Sequence, residues 1–566
     1  MRKTTTTRAS LALIALLAGA FAGACAHGRD QAASGPCDDF DLDVERVWSS
    51  DKRREIRSGL EAFAGESQQI NVDRIITKMD DIASDWVMMN RRACKDTVER
   101  ETMPEEIYVR VSLCLNTALV QQRTLVSALE GVDRTSYEHI DRAMLEISEQ
   151  ISTCQNQAVL AYYKQPEETV DAEAAKLADD KTAEARTLLA LGKSDAASKL
   201  LGEAGFAAEK SGDERRKIDA KVASCHHSVM IGDYEQALGQ GRPALTAAQK
   251  LGYAIGEADA LTCIGTAELR AGNYIEARRD LEAALGQREA FFGAEHPRVA
   301  DAANRLGNLE VAMANYRAAH DLYMRALDIW TDTFGADDPI TSRAYHNLGY
   351  THIGLEDIEG AAAWYKKAIS AETKSLGPDH PATALSEASY ADVLLIQERA
   401  DEAYELLNHA VEVQERILGP GHPEVAVSYQ GIGDVWAARK GWDTALEWYQ
   451  KALTLRRLAL GDNHLDTART LDAMAIAYYR LKKLDDALKY ATEAMEIRER
   501  LLGGSSIITA TSYFNLGLIH EKRKAYRQAL QWYEKSLEVE EAVRGVGHDL
   551  TKQTKQTVER LRDLSR

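Results

Sequence analysis

The run Tyr345-His346-Asn347-Leu348-Gly349-Tyr350, continued by Ala361-Ala362-Ala363-Trp364-Tyr365-Lys366-Lys367-Ala368-Ile369 and closed by Gly377-Pro378-Asp379-His380-Pro381, decides the fold. Its landmarks return along the chain at one interval. The closing glycine stands at Gly293, Gly335, Gly377, Gly419, Gly461, Gly503 and Gly545, a step of 42 residues. An alanine keeps the same step at Ala277, Ala319, Ala361, Ala403, Ala445, Ala487 and Ala529. A third register holds only small residues: Gly265, Gly307, Gly349, Ala391, Gly433, Ala475 and Gly517. Three small-residue positions locked to one period mean stacked structural units and not one globular core.

Each unit reads as a helical hairpin. Apolar and small residues recur at helical spacing from Arg298 to Ala314 and again from Tyr316 to Phe334. The small residue in the first helix and the alanine early in the second let two backbones come close. The repeated glycine ends the second helix, where positive φ is needed. The turn that follows, such as Gly-Pro-Asp-His-Pro at 377–381, places proline in the first turn of the next helix, where its missing amide costs nothing.

These residues resemble the tetratricopeptide repeat in the long form of kinesin light chains. The segments 345–350 with 361–369, and Tyr513-Phe514-Asn515-Leu516-Gly517 with Ala529-Leu530-Gln531-Trp532-Tyr533-Glu534-Lys535-Ser536-Leu537, carry the resemblance. It implies an all-α fold, an α-solenoid of about nine helical-hairpin repeats over 181–566. Two early units are marked by Ala197 and Ala237 at a step of 40. In the second of them Gly239, Gly241 and Pro243 fall inside the second helix and are expected to kink it.

The front of the chain carries a different signal. Arg2, Lys3 and Arg8 precede an apolar run from Leu11 to Phe21, then Ala22-Gly23-Ala24-Cys25. A basic start, a short apolar core and small residues describe an export signal over 1–24, too short for an ordinary membrane span. The box before Cys25 resembles that of bacterial lipoproteins, with Ala22 where leucine is usual. It implies lipidation of Cys25, a lipid-anchored linker over 25–37, and a periplasmic body at the outer membrane; secretion without lipid, or an uncleaved anchor, are the alternatives. Six cysteines remain: Cys37, Cys94, Cys114, Cys154, Cys225 and Cys263. An even number in an exported chain fits disulfides. If 84–100 and 106–130 form an antiparallel hairpin, Cys94 pairs with Cys114, and Cys37–Cys154 closes the same domain. Cys225 and Cys263 read equally well as a bridge or as two buried thiols.

Residues 38–165 lack the period and show longer helical patterns, at about 50–65, 70–100, 105–131 and 136–163. Trp86, Arg91-Arg92-Ala93-Cys94, Arg110-Val111-Ser112-Leu113-Cys114-Leu115 and Cys154 make this stretch similar to the helical region before the repeats of some bacterial Ser/Thr kinases, notably myxobacterial ones. This domain is expected to be a small disulfide-linked bundle, joined to the array by an acidic linker at 166–180. None of the kinase motifs is present: no glycine-rich loop, no Val-Ala-Ile-Lys strand, no His-Arg-Asp, no Asp-Phe-Gly. The sequence also lacks a nucleophile elbow and a His-Glu-x-x-His motif, and so reads as non-enzymatic.

With 69 Lys plus Arg against 88 Asp plus Glu, the chain carries a net charge of −19. That balance disfavours nucleic acid and anionic headgroups as partners. The turn histidines His296, His380, His422, His464 and His548 stand a repeat or more apart, too far to share a metal, so neither metal nor cofactor is expected. Trp364, Trp448 and Trp532 share a register at twice the period and read as packing.

In this repeat class the first helix of each unit lines the concave face. The groove is therefore expected to present Asp301, Asn304 and Asn308; Arg343, His346, Asn347 and Tyr350; Gln430 and Asp434; Arg469 and Asp472; and Asn515. Asn304, Asn347 and Asn515 resemble the asparagines that hold peptide backbones in kinesin light chains. The reading is a non-enzymatic scaffold of the bacterial envelope that takes an envelope protein or peptide in its groove, with the membrane reached through the N-terminal lipid. The alternative is a sensory module in which 38–165 receives a ligand.

Overall fold

The computed structural model describes Cys37, 39–163 and 170–564. The export signal, Cys25, most of the 25–37 linker and residues 164–169 lie outside the described residues. Every regular element among those described is helical.

The N-terminal domain comprises α1 (Phe40–Glu45), α2 (Ser50–Ala64), α3 (Gln69–Val98), α4 (Glu105–Leu129), α5 (Arg134–Thr153) and the short α6 (Gln157–Leu160). Local chemistry sets the starts. Ser49 accepts from the Lys52 amide and Asp133 from the Ser136 amide, each satisfying a donor the helix cannot. The core holds Ile56, Leu60, Ile75, Ile76, Met79, Leu115, Leu125 and Ile140, all essentially dry. Trp86 spans it and donates its indole N–H to the Leu115 carbonyl at 2.7 Å.

The expected disulfide pairing is corrected. Cys37 bridges Cys94, and Cys114 bridges Cys154. In a hairpin closed between 98 and 105, position 94 lies level with about 109, and Cys114 stands some five residues along, roughly 7.5 Å of helix rise. That exceeds the span a bridge tolerates. The pattern expected over 136–163 also stops early, because α5 ends at Cys154 where the second bridge forms. Of the two alternatives left open for Cys225 and Cys263, the structure has the bridge, at a Cα separation of 6.3 Å. It joins the first helices of the second and third repeats, and Gly241 makes room for it: a Cβ there would lie 3.1 Å from the Cys225 sulfur. Tyr234–Leu251 runs as one uninterrupted helix across Gly239, Gly241 and Pro243, so the expected kink does not break it.

Nine hairpins follow, from Ala172–Ala190 with Ser194–Ser211 to Ile507–Lys522 with Tyr526–Val543, and Asp549–Leu564 covers the last. First helices of most neighbouring repeats pack on one another, as 214–230 does on 254–271 and 381–396 on 425–438, whereas second helices of neighbouring repeats do not pack comparably, so the first helices line the inner, concave side. The repeated glycine does what its register requires. Gly293, Gly335, Gly461 and Gly503 have φ between +78° and +91° with ψ near 160–175°, a region other residues hardly reach. A second left-handed register was not anticipated. Ala314, Glu356, Glu398, Lys440, Lys482 and Lys524, at the turn inside each hairpin, all have φ near +60°.

The small-residue register explains how close the helices come. A Cβ at Gly307, Gly349, Gly433 or Gly517 would lie 2.4–2.9 Å from the ring of Tyr323, Tyr365, Tyr449 or Tyr533 in the partner helix. On the other side of these hairpins a Tyr–Trp–Lys set repeats every second unit. Tyr345, Trp364 and Lys367 form one, Tyr429, Trp448 and Lys451 the next, Tyr513, Trp532 and Lys535 the third. The ammonium lies 3.9–4.8 Å from the tryptophan centroid in each.

The superhelix is tight. Gly272 in the third repeat lies against Leu501 at the end of the eighth, and His548 approaches Glu356 at 3.6 Å. One turn thus closes after about five repeats.

Two outcomes follow. Gly433→Ala drives a methyl into a Tyr449 ring held by its 2.6 Å bond to Asp434, and should destabilise by roughly 1–3 kcal/mol in thermal melts. Gly286→Ala, which meets nothing within 4 Å, should be neutral or stabilising. Second, Glu372 is buried with Oε2 unpartnered, and burial pushes its carboxyl up to about 8. One repeat on, Gln414 takes a hydroxyl bond from Ser428 as Glu372 does from Ser342. Folded Glu372 keeps a proton that the unfolded side chain releases above its ordinary 4.5, so wild-type stability falls as pH rises from 4.5 to 8. Glu372→Gln should melt higher than wild type at pH 8.5, with the gap closing by pH 5.

Candidate functional site

The inner surface is built from the first helices, and their turn residues set its edge. At that edge each turn histidine acts as an N-cap. The Nδ1 atoms of His296, His380, His422, His464 and His548 accept the backbone N–H two residues on at 3.1–3.3 Å. Accepting at Nδ1 fixes the tautomer, leaving Nε2–H to point outward.

Helix α5 lies along this row of helix starts, one helical turn per repeat. Glu138 meets His422, with Oε2 3.2 Å from Nε2. Tyr137 sets its ring 6.1 Å from His380. Asp141, Met144 and Leu145 share a small cavity with Asp338, Pro339 and Ile340, and Asp141 pairs with Arg74 at 2.6 Å. Glu149 approaches Arg298 at 3.7 Å. Glu138, Tyr137, Asp141 with Leu145, and Glu149 thus oppose the seventh, sixth, fifth and fourth repeats. The three carboxylates also suit the positive ends of the helix dipoles they face. His422 is raised, burial opposing the shift and the Glu138 bond overcoming it. Burial drives Glu149 up to about 7 despite Arg298.

Beyond α5 the groove continues over the middle and late repeats. The structure divides the residues expected to face it. Tyr350, Arg343 and Asn308 are exposed there, Tyr350 at 41 %. Arg343 lies 5.2 Å over the Trp330 ring, and burial by surrounding protein lowers its pKa while Asp301 opposes. Asn308 accepts the Tyr323 hydroxyl at 2.7 Å. Asn304 and Asn347 do come together, but onto each other: Asn347 Nδ2 donates to Asn304 Oδ1 at 2.9 Å. His346 bonds Ser386 at 3.1 Å, and burial lowers it to about 4. Gln430 is buried and donates to Asp434 at 3.3 Å. Asp472 is buried against Arg498 and Ser512, with Asn515 bonded to it. Asn347, His346 and Asp472 thus join one repeat to the next, whereas Gln430 and Asp434 bond along one helix.

A charged set that crosses repeats stands at the centre. Arg469 reaches Asp392 at 2.9 Å, spanning from the eighth repeat to the sixth, while Arg305 pairs with Asp301 at 2.8 Å further up. Asp434 takes the Tyr449 hydroxyl at 2.6 Å, and burial together with Asp392 pushes it up to about 6 against Arg469. Asp392 was not singled out from sequence, although it stands one 42-residue step from both Tyr350 and Asp434. The tyrosine hydroxyls were missed as well; they reach the groove because glycine lets their rings cross the hairpin. Among the described residues no three His, Cys, Asp or Glu side chains converge as a metal site, and Cys225 is committed to its bridge.

His380 and His296 are lowered to about 4, burial first. Both folded values lie below the unfolded 6.5, so their contribution is complete above 6.5 and is lost as pH falls toward 4. Asparagine caps a helix without titrating. His380→Asn should therefore lose less stability than wild type between pH 7.5 and pH 5, by about 2 kcal/mol from this one site, read from melts at both pH values.

The tetratricopeptide-repeat profile matches 256–332, 321–374, 381–441, 437–500 and 473–542. No curated protein matches the chain by sequence. Among solved structures, a Rap protein complexed with competence and sporulation factor aligns with a TM-score of 0.50 at 13 % identity, covering 65 % of this chain and 98 % of that one. The apo quorum sensor NprR of B. thuringiensis gives 0.45 at 12 % identity, over 66 % and 97 %. A Podosopora anserina protein described as a kinesin light chain with nearly identical TPR-like repeats gives 0.30 at 18 %, over 36 % and 97 %.

Proposed function

Residues 256–542 belong to the tetratricopeptide-repeat family, and from that premise we propose that the chain is a non-enzymatic scaffold of the bacterial cell envelope. Its groove holds an extended peptide or protein segment, and lipid on Cys25 tethers the body to the outer membrane from the periplasmic side. The observation that carries this reading is the inner face itself. Tyr350, Arg343 and Asn308 face its open space, while Asp392, Arg469 and Asp434 offer both charge signs beside them. A surface of this kind can bond a backbone and select charged side chains. The tight superhelix favours an extended segment over a folded one, because the groove wall returns on itself after five repeats. The Rap complex is a structure of the same general fold that carries a bound factor, and it supports a peptide as the occupant.

A second reading has its own support. α5 spans four repeats, so a ligand that shifts 38–165 would act directly on the edge of the groove. In that reading the N-terminal domain is a sensor and the array its relay. The two differ in where a partner first touches.

A photoreactive residue in place of Tyr350 tests the choice in cells. The expected result is one discrete envelope protein trapped at 350 and lost when Asp392→Arg reverses the neighbouring charge. Absence of an adduct at 350, with one trapped from α3 or α4 instead, would overturn the groove as the recognition element.

A further inference from the structure

A cavity of about 810 Å³ lies away from the array, between α1 and α3. Its floor is apolar, with Trp48 and Val87 buried and Met88 58 % exposed at the rim. Its walls carry Arg91, Arg92, Lys95 and Arg100 against Asp41 and Glu45. Asp41 is taken by Arg91. Arg92 and Arg100 share one carboxylate, Asp96, at 3.8 and 2.7 Å, and Lys95 has no ion pair among the described residues. A net cationic cleft with an exposed apolar side chain at its rim is unusual on a chain of net charge −19.

Its position gives the cleft a use. The Cys37–Cys94 bridge pins the start of the described chain between Arg92 and Lys95. Twelve residue steps lead from Cys25 to Cys37, a reach of at most about 40 Å. A lipid on Cys25 would hold this face, and not the repeats, nearest the membrane. No helix among the described residues is long and apolar enough to cross a membrane, so contact there would be superficial. Cations beside exposed apolar groups are the combination that binds an anionic interface.

We propose that the α1–α3 cleft is a lipid-facing surface, with Met88 entering the headgroup layer and Arg92, Lys95 and Arg100 binding lipid phosphates. The acidic remainder of the protein is repelled by the same surface, which orients the array away from it. The inference rests on the anchor reading only for the distance to the membrane.

The test uses the full chain with bimane on Met88→Cys, in vesicles of phosphatidylglycerol and phosphatidylcholine that contain a nitroxide-labelled lipid. Six native cysteines are occupied in bridges, and the chain without the Met88 change corrects for label on Cys25. Quenching at 88 should exceed that at Leu458→Cys, a fully exposed site on the array, by threefold or more. It should fall sharply in phosphatidylcholine alone and in the Arg92→Glu, Lys95→Glu, Arg100→Glu variant, whose circular dichroism should match wild type. Quenching at 88 no greater than at 458 overturns the proposal, whether or not the chain sediments with vesicles. Cys25→Ser reports the anchor separately: quenching at 88 that persists in that variant keeps the cleft whatever becomes of the anchor.

Discussion

A tyrosine ring lying flat on a glycine Cα is the contact on which this array rests. At Gly307, Gly349, Gly433 and Gly517 there is no room for even a methyl between the two helices of a hairpin. That closeness brings each ring across the hairpin, so that its hydroxyl emerges on the inner surface and bonds Asn308, Asp434 or Glu521. Packing and groove chemistry are thus one arrangement. Where the register is alanine, as at Ala391 and Ala475, the partners are the aliphatic Leu407 and Ala491, and no hydroxyl crosses.

The repeat register was legible in the sequence because a close backbone approach and a positive φ both demand small residues, and both recur at every unit. Seven hairpins at the 42-residue step follow from that, Ala197 and Ala237 mark the two before them, and the helices read over 298–314 and 316–334 run 297–312 and 316–334. The left-handed register at Glu356, Lys440 and Lys482 was hidden, since no residue type marks it once glycine is not used. The groove was half legible. Register counting puts Asn304, Asn347 and Gln430 on the inner helices, but cannot tell a side chain that faces the space from one that bonds a neighbouring side chain. The disulfides failed for a related reason: pairing depends on how far along two helices the sulfurs stand, and spacing in sequence leaves that open.

Electrostatics ties the two parts of the molecule. A histidine used as an N-cap has one nitrogen engaged and one to offer, and that second nitrogen gives the array a row of outward donors at a fixed spacing. α5 answers with acidic and aromatic groups at the pitch of its own turns. Two unrelated periodicities, 3.6 residues per turn and one repeat per hairpin, come into register here, which is why a straight helix can engage four repeats without a loop between contacts. The half-buried carboxylates Glu149 and Glu424, both driven up to about 7 by burial, lie in the same seam and shift the opposite way to His296 and His380.

The Tyr–Trp–Lys stacks recur at every second hairpin, at 345/364/367, 429/448/451 and 513/532/535. The intervening hairpin carries Glu387, Leu406 and His409 at the matching places, with Glu387 and His409 bonded to each other at 2.6 Å. Three aromatic sets in phase with one another and out of phase with their neighbours give this stretch a chemical period of two hairpins laid over a backbone period of one, so a contact made on one stack is offered again only two hairpins on.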